Sequence, residues 1–482
     1  MEIVATTYLA LFLAVILLFV RPDTQLAVVG VSLPFGASAF VNLPAFGNST
    51  IVIGNVLAAL FLALVLIQRR HMVPRIFTVA RPYEPGFYLV IFVLIALLVT
   101  ILSPRLFGSA IEVFTMARGD GLISKTPLVP LRPTTANVTQ SLYLLQGVIV
   151  FLTVAALGDL KSRVKILFGC IQAVTIVHLA ISAVDVLENA TGLELLGWLR
   201  TANYAFLDDV IFAGLPRLVG GFPEASMFGY FSLALFGFWF VYWRLGGKAR
   251  YRRTYVLGSL AATIFSTSSG AFAALAVFLA ITLSIAAIDF LRRKAPTPTV
   301  LLVLGACVAA PIAIAGFVIA LQLSPGFFTY MDQLVFSKMT SDSGVERTSW
   351  NRQAMQGFFD SYLLGVGLGS IRGSSFTVSL LSTVGIFGSI AFFAFLYAIL
   401  ARKAPPQNSE YGALVGGGKA GCLAMFLQAN VTASNPDLGL LFFIFAATAY
   451  AFSEKRSKAS NRVVTTPASQ PAWLETPVRR RH

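Results

Sequence analysis

The sequence predicts an all-α polytopic integral membrane protein with about twelve transmembrane helices and two or three long outward loops. Three observations carry this expectation. Of the 482 residues 57% are hydrophobic and only 12% charged, whereas water-soluble chains run at about 45–50% and about 25%. Apolar runs recur from one end to the other, and a helix needs about 20 such residues to cross a bilayer. Basic residues gather in alternate loops between the runs, as orientation by cytoplasmic positive charge requires.

In order, the runs are 3–20, 50–67, 86–103, 140–158, 164–187, 223–243, 254–290, 299–321, 375–400, 412–433 and 436–452. The stretch 254–290 is too long for one span and breaks at Ser266-Thr267-Ser268-Ser269-Gly270, so it counts as two helices. Segment 26–46, interrupted by Pro34, Gly36 and Pro44, reads as re-entrant, interfacial or a thirteenth span. The first run has no basic leader and no small-residue cleavage site, which fits a retained helix rather than a removed signal peptide. Cys170, Cys307 and Cys422 all fall inside runs and behave as small apolar residues, with no disulfide framework or zinc spacing.

The net charge of +15 reflects topology and anionic headgroups rather than nucleic acid. Clusters such as Arg69-Arg70, Arg252-Arg253 and Arg292-Arg293-Lys294 put their loops, and both termini, in the cytoplasm. Three units follow: residues 1–139, N-terminal helices and a first outward loop; 140–452, a helical core with outward loops 188–222 and 322–374; and 453–482, a basic, disordered cytoplasmic tail.

The outward segments 104–139, 188–222 and 322–374 are longer than connections in compact proteins usually are, a mark of function. Prolines at 104, 127, 130 and 133 favour an extended path along the membrane surface in the first. Apolar residues at helical spacing from Leu193 to Asp209 suit the interface. In the third, Ser343-Gly344-Val345-Glu346 fits a capping box with Ser343 as N-cap. Trp350, Ala354 and Phe358 then make one apolar helix face as far as Asp360. Arg347 would sit in about the first turn, near the helix end that attracts anions.

Arg217 and Arg347 lie in separate loops on the same side, and the planar guanidinium fork matches phosphate oxygens. Two of them converging on one cavity would suit a diphosphate; singly, each would pair with a nearby acid or headgroup. Glu224 follows Pro223 at the mouth of the span 223–243. It is either a base or orienter of Arg217, or a carboxylate favoured at a helix N-terminus. Gly365, Gly367 and Gly369 would let backbone amides approach a phosphate, or simply turn the chain back; Arg372 is a third anion contact. His178 and Asp185 share one face of the span 164–187 and read as a structural pairing. Asp208-Asp209 reads as a solvated loop. No histidine is available in the outward loops, and no metal or cofactor is called for.

These residues, in this order, resemble the O-antigen ligase and O-antigen polymerase superfamily of bacterial envelope glycosyltransferases. The resemblance rests on Arg217-Leu218-Val219-Gly220-Gly221-Phe222 before a span, on Ile264-Phe265-Ser266-Thr267-Ser268-Ser269-Gly270-Ala271, and on Arg347 to Trp350 followed by Leu363-Leu364-Gly365-Val366-Gly367-Leu368-Gly369 and Val384-Gly385-Ile386-Phe387-Gly388. It covers roughly residues 140–450. It implies metal-independent glycosyl transfer at the periplasmic face of the bacterial inner membrane. The donor would be an undecaprenyl-diphosphate-linked glycan and the acceptor a glycan or lipid, with other polysaccharide assembly and export proteins as partners. Arg217 and Arg347 would hold the diphosphate, with Arg372, Gly365, Gly367 and Gly369 also binding substrate. The chain departs from the family at Ser269-Gly270, where many relatives carry an arginine. It departs again near Arg372-Gly373-Ser374-Ser375, where many ligases carry a histidine, and this tilts the reading towards a polymerase. The base is then chosen by position: Glu224 first, Glu346 or Asp342 behind it. The rival expectation is a polysaccharide or lipid-linked oligosaccharide transporter or flippase, which would place charges or broken helices near the midplane of its spans.

Overall fold

A computed structural model of the chain describes residues 1–47, 49–114, 128–157, 160–203, 217–292, 296–324, 326, 328, 332, 342–405 and 409–453. The expected tail beyond Ser453, the Asp208-Asp209 pair and the C-terminal part of the segment Leu193 to Asp209 lie outside these residues. Within them fifteen α-helices and two short hairpins form. The helices are α1 (Ala5–Phe19), α2 (Gln25–Ser32), α3 (Ile53–Gln68), α4 (Val73–Val79), α5 (Pro85–Leu106), α6 (Thr135–Ala156), α7 (Leu160–Thr191) and α8 (Ala225–Arg244). They continue as α9 (Arg252–Phe265), α10 (Ser269–Leu291), α11 (Thr297–Leu323), α12 (Asp342–Asp360), α13 (Phe376–Leu400), α14 (Glu410–Thr432) and α15 (Leu440–Ala451). Strands β1 (Ala39–Leu43) and β2 (Ser49–Val52) pair antiparallel, as do β3 (Glu112–Phe114) and β4 (Leu128–Pro130).

Each expected apolar run contains a helix. Among the described residues six helices, α5, α6, α7, α8, α10 and α13, are long and apolar enough to cross a membrane. Of the others, α1 has 15 residues and α15 has 12, α14 carries Glu410 and Lys419, and α3 and α4 turn by 119° at their junction. The composition and these helices are consistent with an all-α, multi-pass membrane protein. The expected break in 254–290 falls at Ser266 to Ser268, between α9 and α10, where Thr267 takes φ 46°.

Segment 26–46 contains no spanning helix. Helix α2 has 8 residues, about 12 Å at 1.5 Å per residue, far short of a bilayer core. The chain then turns at Pro34 and runs into β1, since Pro34 supplies no backbone donor to continue the ladder. Ala37 N donates to Gly221 O at 2.8 Å, so this turn docks against the loop before α8.

Helix α8 is the centre of the molecule, with 89% of its apolar window buried. It packs against α9, α10 and α14. Close approach depends on glycine: an added Cβ at Gly237 would lie 2.9 Å from Ala424, and one at Gly417 would lie 3.0 Å from Phe238. Small residues at helix crossings substitute backbone contact for side-chain interdigitation. The same stripe on α14 admits α15 at Gly418, where an added Cβ would lie 2.7 Å from the Phe445 carbonyl.

The first long loop does not simply run extended: its ends close as the β3–β4 hairpin. Ile111, Val113 and Leu131 there are buried with Ala354, Val366 and Ile371 under α12. The α12 face expected from Trp350, Ala354 and Phe358 is buried as a unit. Its start differs from expectation. Helix α12 already includes Asp342, so Ser343 lies inside the helix rather than capping it, and Arg347 falls beyond the first turn.

Candidate functional site

Asp185, near the end of α7, accepts hydrogen bonds from both Val219 N and Gly220 N at 2.7 Å through one carboxylate oxygen. Arg200 pairs with the other oxygen at 3.7 Å and donates to Gly220 O at 3.4 Å. Two parallel amides aimed at one carboxylate require a turned backbone, and Gly220 supplies it with φ 56°. Gly221 is packed so closely that a Cβ would stand 2.5 Å from Pro34 O. This clamp fixes the chain immediately before Glu224, the N-cap of α8. Ser226 Oγ donates to the Glu224 carboxylate, and Gln428 Nε2 on α14 donates to Ser226 O at 3.1 Å. The clamp thus joins α7, α8 and α14 behind one half-buried acid.

A second assembly faces it. The Arg372 guanidinium stacks on the Trp350 ring, 3.8 Å from its centroid, a cation–π contact. Asn351 Oδ1 accepts from Ser374 N at 2.7 Å, which ties the loop 361–375 to α12. Arg372 Nε and Trp350 Nε1 are buried with no hydrogen-bond partner among the described residues. Burial lowers the Arg372 guanidinium from its ordinary value; the carboxylates of Glu346 and Glu224 oppose this, and Arg347 adds to it. Four charges from α8, α12 and the loop therefore sense one another.

These groups line one cavity of about 440 Å³. Glu224, Glu346, Arg347, Trp350 and Arg372 make its charged wall. Further contributions come from the turn Ser32 to Gly36, from Gly54 and Asn55 at the start of α3, and from Phe222. The α14–α15 connection adds Ser434, Asn435 and Asp437, and α8 adds Tyr230, whose hydroxyl donates to Leu438 O at 2.9 Å. Burial raises the Asp437 carboxyl above its ordinary 3.8, partly offset by the hydrogen bond from Gly439 N.

Of the residues singled out in the sequence, Glu224, Glu346, Arg347 and Arg372 line this cavity; Arg217 and the three glycines do not. Arg217 donates through Nε to Thr267 Oγ1 at 3.1 Å and through a terminal nitrogen to Thr267 O at 3.4 Å. It braces the α9–α10 break. The glycine run is used differently from the expected phosphate approach. Helix α13 is broken at Gly385, φ 69° and ψ −172°, and the run is grafted onto the break. Val366 N donates to Ser382 O at 2.8 Å, Gly367 N to Thr383 O at 2.9 Å, and Ile386 N to Leu363 O at 3.0 Å. Leu368 N donates to Thr100 Oγ1 and Gly365 N to Ser361 Oγ. Those amides already have protein partners. The glycines are needed because φ is 88°, 96° and 71° at Gly365, Gly367 and Gly369. A Cβ at Gly369 would also lie 2.5 Å from Ala136 O.

His178 and Asp185 both point to α8 and its approach: His178 Nε2 bonds Ser232 Oγ at 2.8 Å, while Asp185 holds Val219 and Gly220. Three cavity contributors had no place in the sequence reading. The turn 32–36 was signalled only by Pro34 and Gly36 interrupting an apolar run. Asn55 is the sole polar side chain of α3 before Gln68. Ser434-Asn435-Pro436-Asp437 is a short polar connection whose importance comes from what it faces. Among the described residues no cluster of three or more histidine, cysteine, aspartate or glutamate side chains suits a metal ion.

No protein-family model matches the chain, and no curated protein matches it. The cavity therefore stands on its own chemistry: two guanidiniums with unsatisfied nitrogen beside them, three carboxyls in unlike surroundings, and a face of aromatic and amide groups.

Proposed function

We propose that the chain is a multi-pass inner-membrane glycosyltransferase of about twelve spans, which polymerises or ligates a lipid-diphosphate-linked surface polysaccharide at the periplasmic face. The observation that carries this reading is the convergence of Arg347 and Arg372 with Glu224 and Glu346 in one cavity at the mouth of α8. The family resemblance adds to it.

The chemistry follows from the parts. The acceptor hydroxyl oxygen forms a bond to the anomeric carbon of the donor glycan, and the bond from that carbon to the diphosphate oxygen breaks. The lipid diphosphate leaves with the electron pair, and its growing charge is met by Arg347 and Arg372. Preorganised cations at the site of developing charge are commonly the largest catalytic contribution, and guanidinium pairs suit phosphate oxygens. The acceptor's proton passes to a cavity carboxylate, for which Glu224 is fixed in place by Ser226 and the Asp185 clamp. In this reading Arg217 acts through Thr267, holding the α9–α10 break rather than the diphosphate.

Broken helices are also a feature of transporters. Here the Ser382 and Thr383 carbonyls beside the α13 break accept protein amides, which favours transfer over flipping. The test is complementation of a deletion strain with wild type, Arg347→Ala or Arg372→Ala, followed by sizing of surface glycan and of lipid-linked intermediates. Short glycans with normal protein levels in the membrane indicate a polymerase, and full-length glycan stranded on the carrier indicates a ligase. Normal surface polymer from both variants would overturn the proposal.

A further inference from the structure

The residues lining the cavity fall into two chemically different sets, its charged and uncharged walls. The charged one comes from α8, α12, the loop 361–375 and the α14–α15 connection, which adds Asp437. Phe35, Gly36, Asn55 and Phe222 form the other, and none of these carries a charge. Resting on the glycosyl-transfer reading above, we infer that this uncharged wall seats a sugar ring of the acceptor glycan, with Asn55 bonding its hydroxyls and Phe35, backed by the buried Phe222, meeting its apolar face.

Asn55 is the key residue. Its backbone carbonyl accepts from Gln146 Nε2 at 2.6 Å, but its side-chain amide has no hydrogen bond among the described residues. An amide both donates and accepts, so it suits neighbouring hydroxyls, which do the same. Asn55 is half-buried at the cavity lining, in a helix otherwise apolar to Gln68, so its amide is free to bond a ligand's hydroxyls.

The aromatic part of the wall is built rigidly. Ser38 Oγ donates to Leu199 O at 2.6 Å, and Thr201 N and Ala202 N both donate to Ala37 O. Ala37 N in turn donates to Gly221 O, and a Cβ on Gly36 would stand 2.7 Å from the Phe222 ring. The backbone of the turn and the aromatic ring thus form one continuous surface. A ligand seated there loses little free energy to ordering the protein. Small-ligand sites combine apolar and aromatic lining with a few directional polar groups, and an uncharged ring rich in hydroxyls matches this wall better than a phosphate does.

The experiment uses purified full-length protein in detergent and two probes: inorganic pyrophosphate for the charged wall, and the lipid-free repeat-unit oligosaccharide of the host's own surface polysaccharide for the uncharged one. Both are titrated calorimetrically. The two are expected to bind wild type simultaneously. Asn55→Ala should weaken the oligosaccharide about tenfold, the size of one lost hydrogen bond, while pyrophosphate affinity stays within about twofold. Arg372→Ala should show the opposite pattern, and Phe35→Leu should repeat the Asn55 result on a different side chain. Competition between the probes on wild type, or equal oligosaccharide affinity in wild type and Asn55→Ala, overturns the inference and leaves the transferase reading standing. Loss of both probes in Asn55→Ala assigns the residue a structural role and also overturns it. Failure of the oligosaccharide alone to bind wild type overturns the inference, and failure of both probes to bind removes the transferase reading with it.

Discussion

Replacing Asp185 by alanine tests whether the α7 clamp holds the approach to α8. Asp185 is 3% exposed and receives two backbone amides at 2.7 Å. Each buried donor left without a partner costs about 1–3 kcal/mol, so the two together cost about 4 kcal/mol. Arg200 retains Glu188, 4.0 Å away, as a second acidic neighbour, so its loss of Asp185 adds little. Asp185→Asn is a sharper comparison. Both amides use the same carboxylate oxygen, which a carboxamide oxygen replaces. Its NH₂ then faces Arg200, at a cost of about 1–2 kcal/mol. At about 2 °C per kcal/mol for a chain this large, Asp185→Ala should lower the unfolding midpoint in detergent by about 8 °C and Asp185→Asn by about 3 °C. Intrinsic fluorescence at one fixed scan rate measures this, since membrane-protein unfolding is commonly irreversible. A midpoint for Asp185→Ala within about 1 °C of wild type, or an Asn variant as damaged as the Ala variant, would refute the reasoning.

Other expectations follow from single contacts. Gly385→Ala forces a side chain into φ 69° and onto the Leu364 carbonyl; it should cost more than about 2 kcal/mol. Gly305→Ala on α11 meets nothing within 4 Å and should stabilise by up to about 1 kcal/mol; thermal scans of the two variants decide. Asp437 has a carboxyl raised by burial from 3.8, so its contribution to stability is fully present below that value and is lost as pH rises through the raised one. Asp437→Asn, which stays neutral, should therefore be more stable than wild type at pH about 8, with the gap closing as pH falls towards about 4; midpoints across a pH series check the sign. Arg217→Lys removes the Nε donor to Thr267 and should lower stability by about 1 kcal/mol while pyrophosphate affinity is unchanged, separating a brace from a ligand contact.

Periodicity made the local elements legible. The apolar runs, the interruption at Ser266 to Ser268, the buried face of Trp350, Ala354 and Phe358, and the shared face of His178 and Asp185 all depend on residues a few positions apart. The cavity was legible in part: Glu224, Glu346, Arg347 and Arg372 stood out as charges in an otherwise apolar chain. Asn55 and Asp437 did not, because their setting is made by elements distant in sequence. The glycine run misled for the same reason. A positive-φ glycine looks alike whether its amide awaits a ligand or meets a carbonyl, and the carbonyls that take these amides belong to a helix break further along. Segment 26–46 was ambiguous because apolar composition does not distinguish a chain that crosses from one that turns back at Pro34.

The graft of Leu363 to Gly367 onto the broken α13 makes the length of that stretch a shared dimension of two elements. One residue inserted between Leu363 and Gly367 would slip the pairing by a step, so that Ser382 and Thr383 would face side chains where they now meet amides. The displacement would also travel along the chain to Arg372, shifting its guanidinium on the Trp350 ring. Loops between helices usually absorb such changes without consequence; this one is measured against the helix it mends, so length variation should be tolerated only outside residues 361–375.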